Sequence, residues 1–255
     1  MNANYHTHTP RCRHASGSES EYIEKALEKG FSVLGFSDHV PQPYPETFKS
    51  CIRMGMEELS DYTGTLVSLR EKYKDRIKIL IGYEAEYSPK YFEPLMKKLR
   101  EFPLDYMILG QHFVPDEIEG FPSGTGTDDE LRLKDYVDLT VEAMSTGLFS
   151  YIAHPDIINF TGSNLVYEKH MSRLVEASIK FSVPLEVNFL GFKNHRNYPC
   201  ERFFSLASQM NADFVLGCDA HVPEQICTVS EIPELQDFIE HNGIKYNQNL
   251  NFPLL

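Results

Sequence analysis

Residues 5–14 are Tyr5-His6-Thr7-His8-Thr9-Pro10-Arg11-Cys12-Arg13-His14, with three histidines in nine positions. Side chains of a strand alternate between its two faces, so His6 and His8 point the same way if this stretch ends a strand. Two neutral imidazoles on one face can chelate a metal ion. His14 lies beyond Pro10, which turns the chain, and it can therefore reach a neighbouring but different position. The stretch predicts a strand that ends in ligands for more than one metal ion.

Later in the chain, short apolar runs of strand-forming residues end in the same kinds of polar residue. Further strands are predicted at residues 31–36, 77–82, 104–109, 150–153, 184–187 and 214–217. Their polar ends are His39, Glu84, His112, His154, Asn188 and the pair Asp219 and His221. Helical periodicity predicts helices at residues 18–30, 54–73, 89–99, 128–147, 164–181, 199–210 and 235–239. The segment 114–127 is rich in Gly and Pro and is predicted to be a surface loop over the strand ends.

Alternating strands and helices with no repeat and no linker predict an α/β fold in a single domain over residues 1–255. We expect a parallel, TIM-like (β/α)7 barrel, and an open doubly wound sheet is the alternative. The polar strand ends favour the barrel, because its C-terminal rim brings all strand ends to one site. Seven of the ten histidines lie at or just after strand ends, whereas His170, His195 and His241 do not. This segregation predicts a cluster of metal ligands.

Composition limits the possible partners. Hydrophobic residues make up 42% of the 255 residues, enough for a large core, and no apolar run is long enough to span a membrane. The net charge of -13 argues against binding to nucleic acid or to an anionic membrane surface, which both require basic patches. The opening residues lack a secretory pattern, so we expect a cytoplasmic protein. The five cysteines include no C-x-x-C pair, so we expect reduced thiols.

Histidine and carboxylate ligands without a thiolate cluster fit zinc, manganese or iron, and do not fit a calcium cage or a cuprous site. Cys12 lies close to the histidines, but we interpret it as a small loop residue rather than a ligand, because no other thiol accompanies it.

The ordered set His6-x-His8, His14, His39, Glu84, His112, His154 and Asp219-x-His221 closely resembles the polymerase and histidinol phosphatase (PHP) superfamily, in its histidinol-phosphatase branch. The resemblance covers nearly the whole chain. It implies a distorted seven-stranded barrel that holds three divalent metal ions. One ion would bind His6, His8, Glu84 and Asp219. A second would share Glu84 and add His112 and His154, and a third would bind His14, His39 and His221.

The resemblance implies hydrolysis of L-histidinol phosphate to L-histidinol and phosphate, by attack of a metal-bridging hydroxide on phosphorus. Three divalent ions less the charges of Glu84 and Asp219 leave about +4, or +3 with the hydroxide, which suits a phosphomonoester dianion. Such a cluster would reconcile an acidic protein with an anionic substrate. Glu84 and Asp219 are accordingly the residues that we expect to be most directly involved in catalysis, and no protein nucleophile is required.

Substrate contacts are less well defined by the sequence. Arg196 resembles a phosphate-contacting residue of the family, Arg13 and Lys193 are weaker candidates, and Asn188 lies at a strand end. Residues 157–160, Ile-Ile-Asn-Phe, depart from family members that carry a basic residue shortly after the strand-five motif. Histidinol carries a cationic amine, for which the eligible acidic residues are Glu46, Asp116, Glu117 and Glu186.

Two other functions remain open. A PHP phosphoesterase could act on a nucleotide or another phosphate ester. A metal-dependent deaminase or amidohydrolase also uses an early His-x-His in a barrel, but the third set, His14, His39 and His221, argues against that class.

Overall fold

The structure, a computed structural model, describes residues 1–255 as an α/β fold with parallel strands. Four parallel strands form one sheet in the order β1-β2-β3-β4, and β7 pairs in parallel with β8. The short strands β5 and β6 form an antiparallel hairpin. The strands are β1 (Ala3–Asn4), β2 (Val33–His39), β3 (Lys78–Ala85), β4 (Tyr106–Leu109), β5 (Phe113–Val114), β6 (Phe121–Pro122), β7 (Leu185–Asn188) and β8 (Phe214–Gly217).

Single parallel bridges connect the two sheets at both sides. Ile152 bridges to Leu109 of β4 and to Leu185 of β7. Thr7, just after β1, bridges to Ala220, just after β8. The segments therefore follow one another in the order β1-β2-β3-β4-Ile152-β7-β8, and the last of them lies beside the first.

Helices connect the strands, as the periodicity predicted. They are α1 (Glu19–Glu28), α2 (Leu59–Tyr73), α3 (Phe92–Leu99), α4 (Glu130–Ser145), α5 (Asn164–Phe181), α6 (Phe189–Lys193), α7 (Glu201–Gln209) and α8 (Pro233–His241). Ser18 and Glu21 form the expected capping box at the start of α1. Gly30, with φ of 79°, follows the end of α1 in the left-handed region that glycine tolerates. None of the helices has the length and apolar character that crossing a membrane requires.

Several predicted elements differ in the structure. The first strand ends at Asn4, so His6 and His8 follow it instead of lying in it. Strand β2 starts at Val33 and continues through His39, because its pairing with β3 extends to the pair His39 and Glu84. The predicted strand 150–153 is reduced to the bridge residue Ile152. The loop 114–127 contains part of the β5–β6 hairpin, and the short helix α6 was not predicted because it follows β7 without a break.

Two buried apolar clusters support the strand ends. The larger one packs the helices against the outer face of the strands. The smaller one lies among the strands and includes Tyr5, Tyr106 and Tyr151. A Cβ atom at Gly35 or Gly82 would overlap the ring of Tyr106, so these glycines leave the room that this side chain fills. The Tyr106 hydroxyl donates to the carbonyl of Tyr5 at 2.7 Å, so the filled interior also fixes the chain just before His6.

Candidate metal centre

The predicted ligands meet at one end of the parallel strands. His6 and His8 follow β1, His39 ends β2, Glu84 is the next-to-last residue of β3, and Asp219 follows β8. His6, His8, Glu84, His154 and Asp219 are each less than 5% exposed, whereas His14 lies at the surface. The C-terminal ends of parallel strands converge at one edge, which explains why distant sequence positions become neighbours here.

Four of these side chains point one atom each at a common centre. The Nε2 atom of His6 lies 3.5 Å from Glu84 Oε2 and 3.4 Å from Asp219 Oδ1. The Nε2 atom of His8 lies 3.4 Å from Glu84 Oε2 and 3.2 Å from Asp219 Oδ1. Ligands in a tetrahedron at about 2.0–2.1 Å from a metal ion are separated by about 3.3 Å. The observed spacing therefore fits a tetrahedral metal site.

Glu84 presents its second oxygen to two further histidines. Glu84 Oε1 lies 2.7 Å from His154 Nε2 and 3.5 Å from His112 Nε2. Its Oε2 atom also lies 3.0 Å from His39 Nδ1. One carboxylate thus contacts five imidazoles from different segments, an arrangement suited to a ligand that two metal ions share.

A third group lies nearer the surface. The Nε2 atoms of His14 and His221 are 3.0 Å apart, and His39 supplies a further nitrogen within 4.8 Å of both. Two imidazole nitrogens at this distance can both donate a lone pair to one cation, but they repel each other if both carry a proton. His14, His39 and His221 therefore also fit a metal site.

Several buried polar atoms of the cluster have no hydrogen-bond partner. They are His6 Nε2, both ring nitrogens of His8, Glu84 Oε2 and His154 Nδ1. Burying polar atoms without a partner costs about 1–3 kcal/mol each, so native proteins rarely do it without a ligand. With the exception of His154 Nδ1, each of these residues directs such an atom toward other candidate ligands. The residues present fit a group of divalent metal ions.

Carboxylates and carbonyls behind the histidines orient their rings. Glu186 accepts from His6 Nδ1 at 2.8 Å. Asp38 lies 3.4 Å from His8 Nδ1, and Glu86 lies 3.2 Å from His112 Nδ1. Backbone carbonyls take this role for two other rings: Cys12 O accepts from His14 Nδ1 at 2.7 Å and Asp219 O from His221 Nδ1 at 3.0 Å. A proton held at Nδ1 leaves the Nε2 lone pair available to a metal ion.

Electrostatics in the cluster favour charged carboxylates. Burial alone would raise the pKa of Glu84, but His112, His39 and His6 outweigh it and hold that pKa well below its usual range. For His6, burial lowers the pKa, yet Glu186, Asp219 and Glu84 raise it overall to about 10. Burial and the neighbouring His8 lower the pKa of His221 to about 3. The inner pocket thus attracts positive charge, and the outer imidazole of His221 is neutral and free to bind metal.

Cys12 lies closer to the histidine cluster than we expected of a loop residue that binds no metal. It is fully buried, and its Sγ lies within 4.8 Å of ligand atoms of His8 and His221. Burial raises the pKa of the thiol, but hydrogen bonds with His14 and His8 lower it overall. The expectation that Cys12 does not bind metal stays a prediction.

Of the four predicted substrate contacts, the structure brings one to the cavity above the histidines. Arg196 lines this cavity of about 450 Å³ together with Tyr198, and its Nη1 donates to the Tyr198 hydroxyl at 2.6 Å. Arg196 is the only Arg or Lys among the lining residues. The Tyr198 ring lies 5.3 Å from the ring of His154, so this pair borders the candidate metal ligands directly.

The other three candidates lie elsewhere or have other partners. Asn188 is buried and donates to Glu186 at 2.9 Å and Asp219 at 3.1 Å, so it holds carboxylates in place rather than facing the cavity. Arg13 forms an ion pair with Glu58 and lines a different cavity. Lys193 lines a third one, beside Glu224 and Glu231. These three side chains do not line the cavity that Arg196 lines.

The four acidic residues considered for the substrate amine are not among the lining residues either. Glu186 is fully buried behind His6, and Glu117 accepts from Arg53 at 2.8 Å. Asp116 accepts from the backbone nitrogens of Ile118 and Glu119. Glu46 lies in the cavity that also contains Arg13. Apolar side chains of Ile52, Phe113, Ile157 and Leu190 form part of the wall instead.

The orienting residues Asp38 and Glu86 were not predicted from the sequence, and Glu186 was considered there for binding the substrate amine. A signal existed for Glu86, because it lies two residues after Glu84 and a strand points alternate side chains to one face. Tyr198 was also missed, although it lies two residues from Arg196. Nothing in the sequence shows which histidine each carboxylate faces.

Known proteins resemble this chain in sequence and in fold. The PHP domain family matches residues 4–190. A probable histidinol-phosphatase of Deinococcus radiodurans is 30% identical over 87% of this chain and 86% of its own length. One of Schizosaccharomyces pombe is 26% identical over 87% of this chain and 81% of its own length. A histidinol phosphate phosphatase from Lactococcus lactis, complexed with zinc, L-histidinol and phosphate, shares the fold with a TM-score of 0.72 and 17% identity, over 96% of this chain and 95% of its own.

The α/β fold, its cluster of candidate metal ligands and its phosphatase relatives place the chain among the phosphatase hydrolases. The chain belongs to the PHP domain family. Within that family, its sequence relatives place it in the histidinol-phosphatase branch of phosphatases.

Proposed function

We propose that this protein is a metal-dependent phosphomonoesterase that hydrolyses L-histidinol phosphate to L-histidinol and phosphate. The observation that carries the proposal is the group of four atoms from His6, His8, Glu84 and Asp219, spaced at 3.2–3.5 Å. Arg196, the only Arg or Lys that lines the cavity above these residues, lies at the same site. The names of the relatives from Deinococcus radiodurans and Schizosaccharomyces pombe support the choice of substrate.

We assign three divalent ions, zinc, manganese or iron, to the three groups of ligands. His6, His8, Glu84 and Asp219 would hold the first, Glu84, His112 and His154 the second, and His14, His39 and His221 the third. When bound, such ions supply a water nucleophile of lowered pKa and positive charge for the phosphoryl oxygens. The zinc named with the structure from Lactococcus lactis supports a metal-dependent reaction.

The protein's own side chains would bind and orient the substrate. Arg196 can donate two parallel hydrogen bonds to phosphate oxygens, and its contact with Tyr198 holds the guanidinium at the cavity. Ile52, Phe113, Ile157 and Leu190 offer apolar surface to the organic group. Glu186 and Asn188 keep the inner ligands His6 and Asp219 in position.

We also infer that residues 1–255 form one domain built on a distorted seven-segment barrel. The bridges of Ile152 to Leu109 and Leu185, and of Thr7 to Ala220, support closure of the ring. The larger apolar cluster includes residues from Tyr22 to Ile244, which supports a single core.

The decisive experiment combines metal analysis with a panel of phosphomonoesters. We expect about three ions per chain and the highest kcat/KM with L-histidinol phosphate. One or two ions per chain with activity on an amide or amine would instead support the deaminase or amidohydrolase class. Full metal content without phosphatase activity would contradict the proposal.

A phosphatase for a different ester is the second candidate, and one observation favours it. Glu46, Asp116, Glu117 and Glu186 do not line the cavity, so no carboxylate outside the ligand set is placed to bind a cationic amine. The panel should therefore include a histidinol phosphate analogue without the amine and a mononucleotide. A preference for either over L-histidinol phosphate would select this second candidate.

A further inference from the structure

We propose that Arg53 is a positioning residue of the metal centre, which acts on His112 through Glu86 and links the surrounding loops to this ligand. The inference rests on the proposed role of His112 as a metal ligand, and it assigns roles to Arg53, Glu86 and Glu117. None of the three residues belongs to the candidate ligand groups.

Arg53 is an arginine that the protein encloses almost completely. Its side chain is 2% exposed, and its three nitrogens make three different contacts. Nη2 donates to Glu86 Oε2 at 2.9 Å, Nε donates to Glu117 Oε2 at 2.8 Å, and Nη1 donates to the carbonyl of Val40 at 3.2 Å. The planar guanidinium thus fixes three chain segments relative to one another.

Glu86 connects Arg53 to the metal centre. One of its oxygens, Oε2, accepts from Arg53; the other, Oε1, lies 3.2 Å from His112 Nδ1 and has no hydrogen-bond partner. The opposite nitrogen of His112, Nε2, faces Glu84 at 3.5 Å. A carboxylate held at Nδ1 keeps the proton there and directs the Nε2 lone pair at the metal position.

Glu117 and Val40 extend the network to the loops. Glu117 lies between the two strands of the β5–β6 hairpin, which begins one residue after His112, and it also accepts from Ser50 at 2.6 Å. Val40 directly follows His39, a second candidate ligand. The loop that contains Arg53 and the hairpin are therefore both attached to positions next to metal ligands.

The energetics of burial argue for a role beyond stability. Removing an arginine and two carboxylates from water costs several kcal/mol per ion, and well-packed apolar residues of similar volume stabilise a fold as well or better. A buried ionic network that ends on a metal ligand instead provides a defined orientation. We expect this orientation to raise the affinity of the ion at His112, His154 and Glu84.

The test measures metal binding in the full-length protein and does not depend on substrate. Glu86→Gln keeps the shape of the side chain but removes its charge at His112. Arg53→Lys keeps one charge but cannot reach Val40, Glu86 and Glu117 together. Arg76→Lys is the matched control, because Arg76 makes two 2.9 Å hydrogen bonds to Glu24 at the exposed surface. Cobalt-loaded proteins are titrated with a chelator while the absorption spectrum and the number of ions per chain are followed.

We expect Glu86→Gln and Arg53→Lys each to lower the affinity for the same single ion about 10- to 100-fold. The affinities for the other two ions should stay the same, and Arg76→Lys should change none of the three. A merely structural role would loosen all ions alike or none. Wild-type affinity in Arg53→Lys, or equal loss of all three ions, would overturn the proposal, even if Glu86→Gln weakens one ion.

If Arg53→Lys fails to fold, Glu117→Gln provides the same test, since it removes one anchor of Arg53 without contacting Glu86. It should weaken the same ion by a smaller factor, and an unchanged affinity would contradict the proposal. Absence of phosphatase activity would count against the proposed function but would leave these metal measurements valid.

Discussion

Glu84 is the residue that contacts the most histidines of the candidate metal centre. Its Oε2 atom lies within 3.5 Å of His6, His8 and His39, and its Oε1 atom lies within 3.5 Å of His112 and His154. A carboxylate has two oxygens and about four lone-pair positions, so it can serve two ions at once. An amide of the same shape has only one oxygen and no charge.

Glu84→Gln should therefore remove or misplace metal and lower turnover by several orders of magnitude, while the fold is retained. Metal content per chain, kcat and the thermal midpoint are measured together. Glu24→Gln, at an exposed carboxylate, is the control and should change none of them. Near-normal turnover with full metal occupancy in Glu84→Gln would refute the shared role.

Arg196 and Lys193 were both candidates for phosphate binding, and the structure now separates them. Of the two, only Arg196 lines the cavity above the histidines. Arg196→Ala should therefore lower kcat/KM about ten- to a hundredfold, because it removes a charge-assisted hydrogen bond worth roughly 1.5–3 kcal/mol. Lys193→Ala should leave both constants unchanged. Both variants are assayed with L-histidinol phosphate and with a small generic phosphomonoester. A loss confined to L-histidinol phosphate would mean that Arg196 binds the organic part of the substrate instead.

Cys12 gives a third test at this scale. Its buried Sγ lies near His8 and His221, but the four-atom group around Glu84 and the group around His14 are complete without it. Cys12→Ser should therefore leave the number of bound ions unchanged, as measured by metal analysis after dialysis. Loss of one ion per chain would show that the thiol is a ligand.

At the scale of elements, the ends of the strands decide which side chains meet. Periodicity was sufficient to predict the helices and most strands, because a period of two or of 3.6 residues depends only on local sequence. It was also sufficient to predict that His6, His39, Glu84 and Asp219 would converge, since the ends of parallel strands always meet at one edge.

Two features of these elements could not be predicted from local patterns. His154 and Asp219 have positive φ angles of 32° and 51°, a backbone conformation uncommon for residues other than glycine. Their side-chain directions follow from tertiary contacts, such as the hydrogen bond that the backbone nitrogen of His154 donates to Glu186 Oε2 at 3.0 Å. The pairing of each orienting carboxylate with its histidine likewise spans up to 180 positions in sequence, as for His6 and Glu186.

The end of strand β4 offers a prediction about space rather than chemistry. A Cβ atom added at Gly110, the residue after β4, would overlap the carboxylate of Glu84. Gly110→Ala should therefore displace Glu84 and lower metal content and activity, although the substitution adds only a methyl group. The matched control is Gly64→Ala in helix α2, where a Cβ has open space and should raise stability by roughly 0.5–1 kcal/mol. Full metal content in Gly110→Ala would contradict the close approach of Glu84 to β4.

At the scale of the whole molecule, the charge distribution conflicts with the substrate. The net charge is -13, and the carboxylates of Glu84, Asp219 and Glu186 are buried together. A phosphomonoester dianion would be repelled by this cluster unless cations neutralise it. The protonated histidines or bound metal ions must supply that positive charge, so the two compete for the same positions.

This competition predicts how pH and metal binding are coupled. In the metal-free protein, burial lowers the pKa of His6 but its carboxylate neighbours raise it overall to about 10, so His6 is protonated at pH 8. That proton contributes stability fully below the unfolded pKa of about 6.5, and the contribution is lost as pH rises through about 10. Metal binding at His6 Nε2 requires a free lone pair and must release the proton.

The apparent metal affinity should therefore rise about tenfold per pH unit between pH 7 and 9, for one proton released, and metal addition at pH 8 should acidify a weakly buffered solution. The thermal midpoint of the metal-free protein should fall over the same interval. In the metal-loaded protein His6 has already lost its proton, so it should not contribute to any fall. Chelator competition at several pH values measures the affinity, a pH indicator measures the released proton, and thermal unfolding gives the midpoints. His241→Gln, at an exposed histidine outside the candidate ligand groups, should behave like the wild type. If the affinity does not change with pH and no proton is released, His6 is already neutral in the metal-free protein, and metal ions do not replace protons in this cluster.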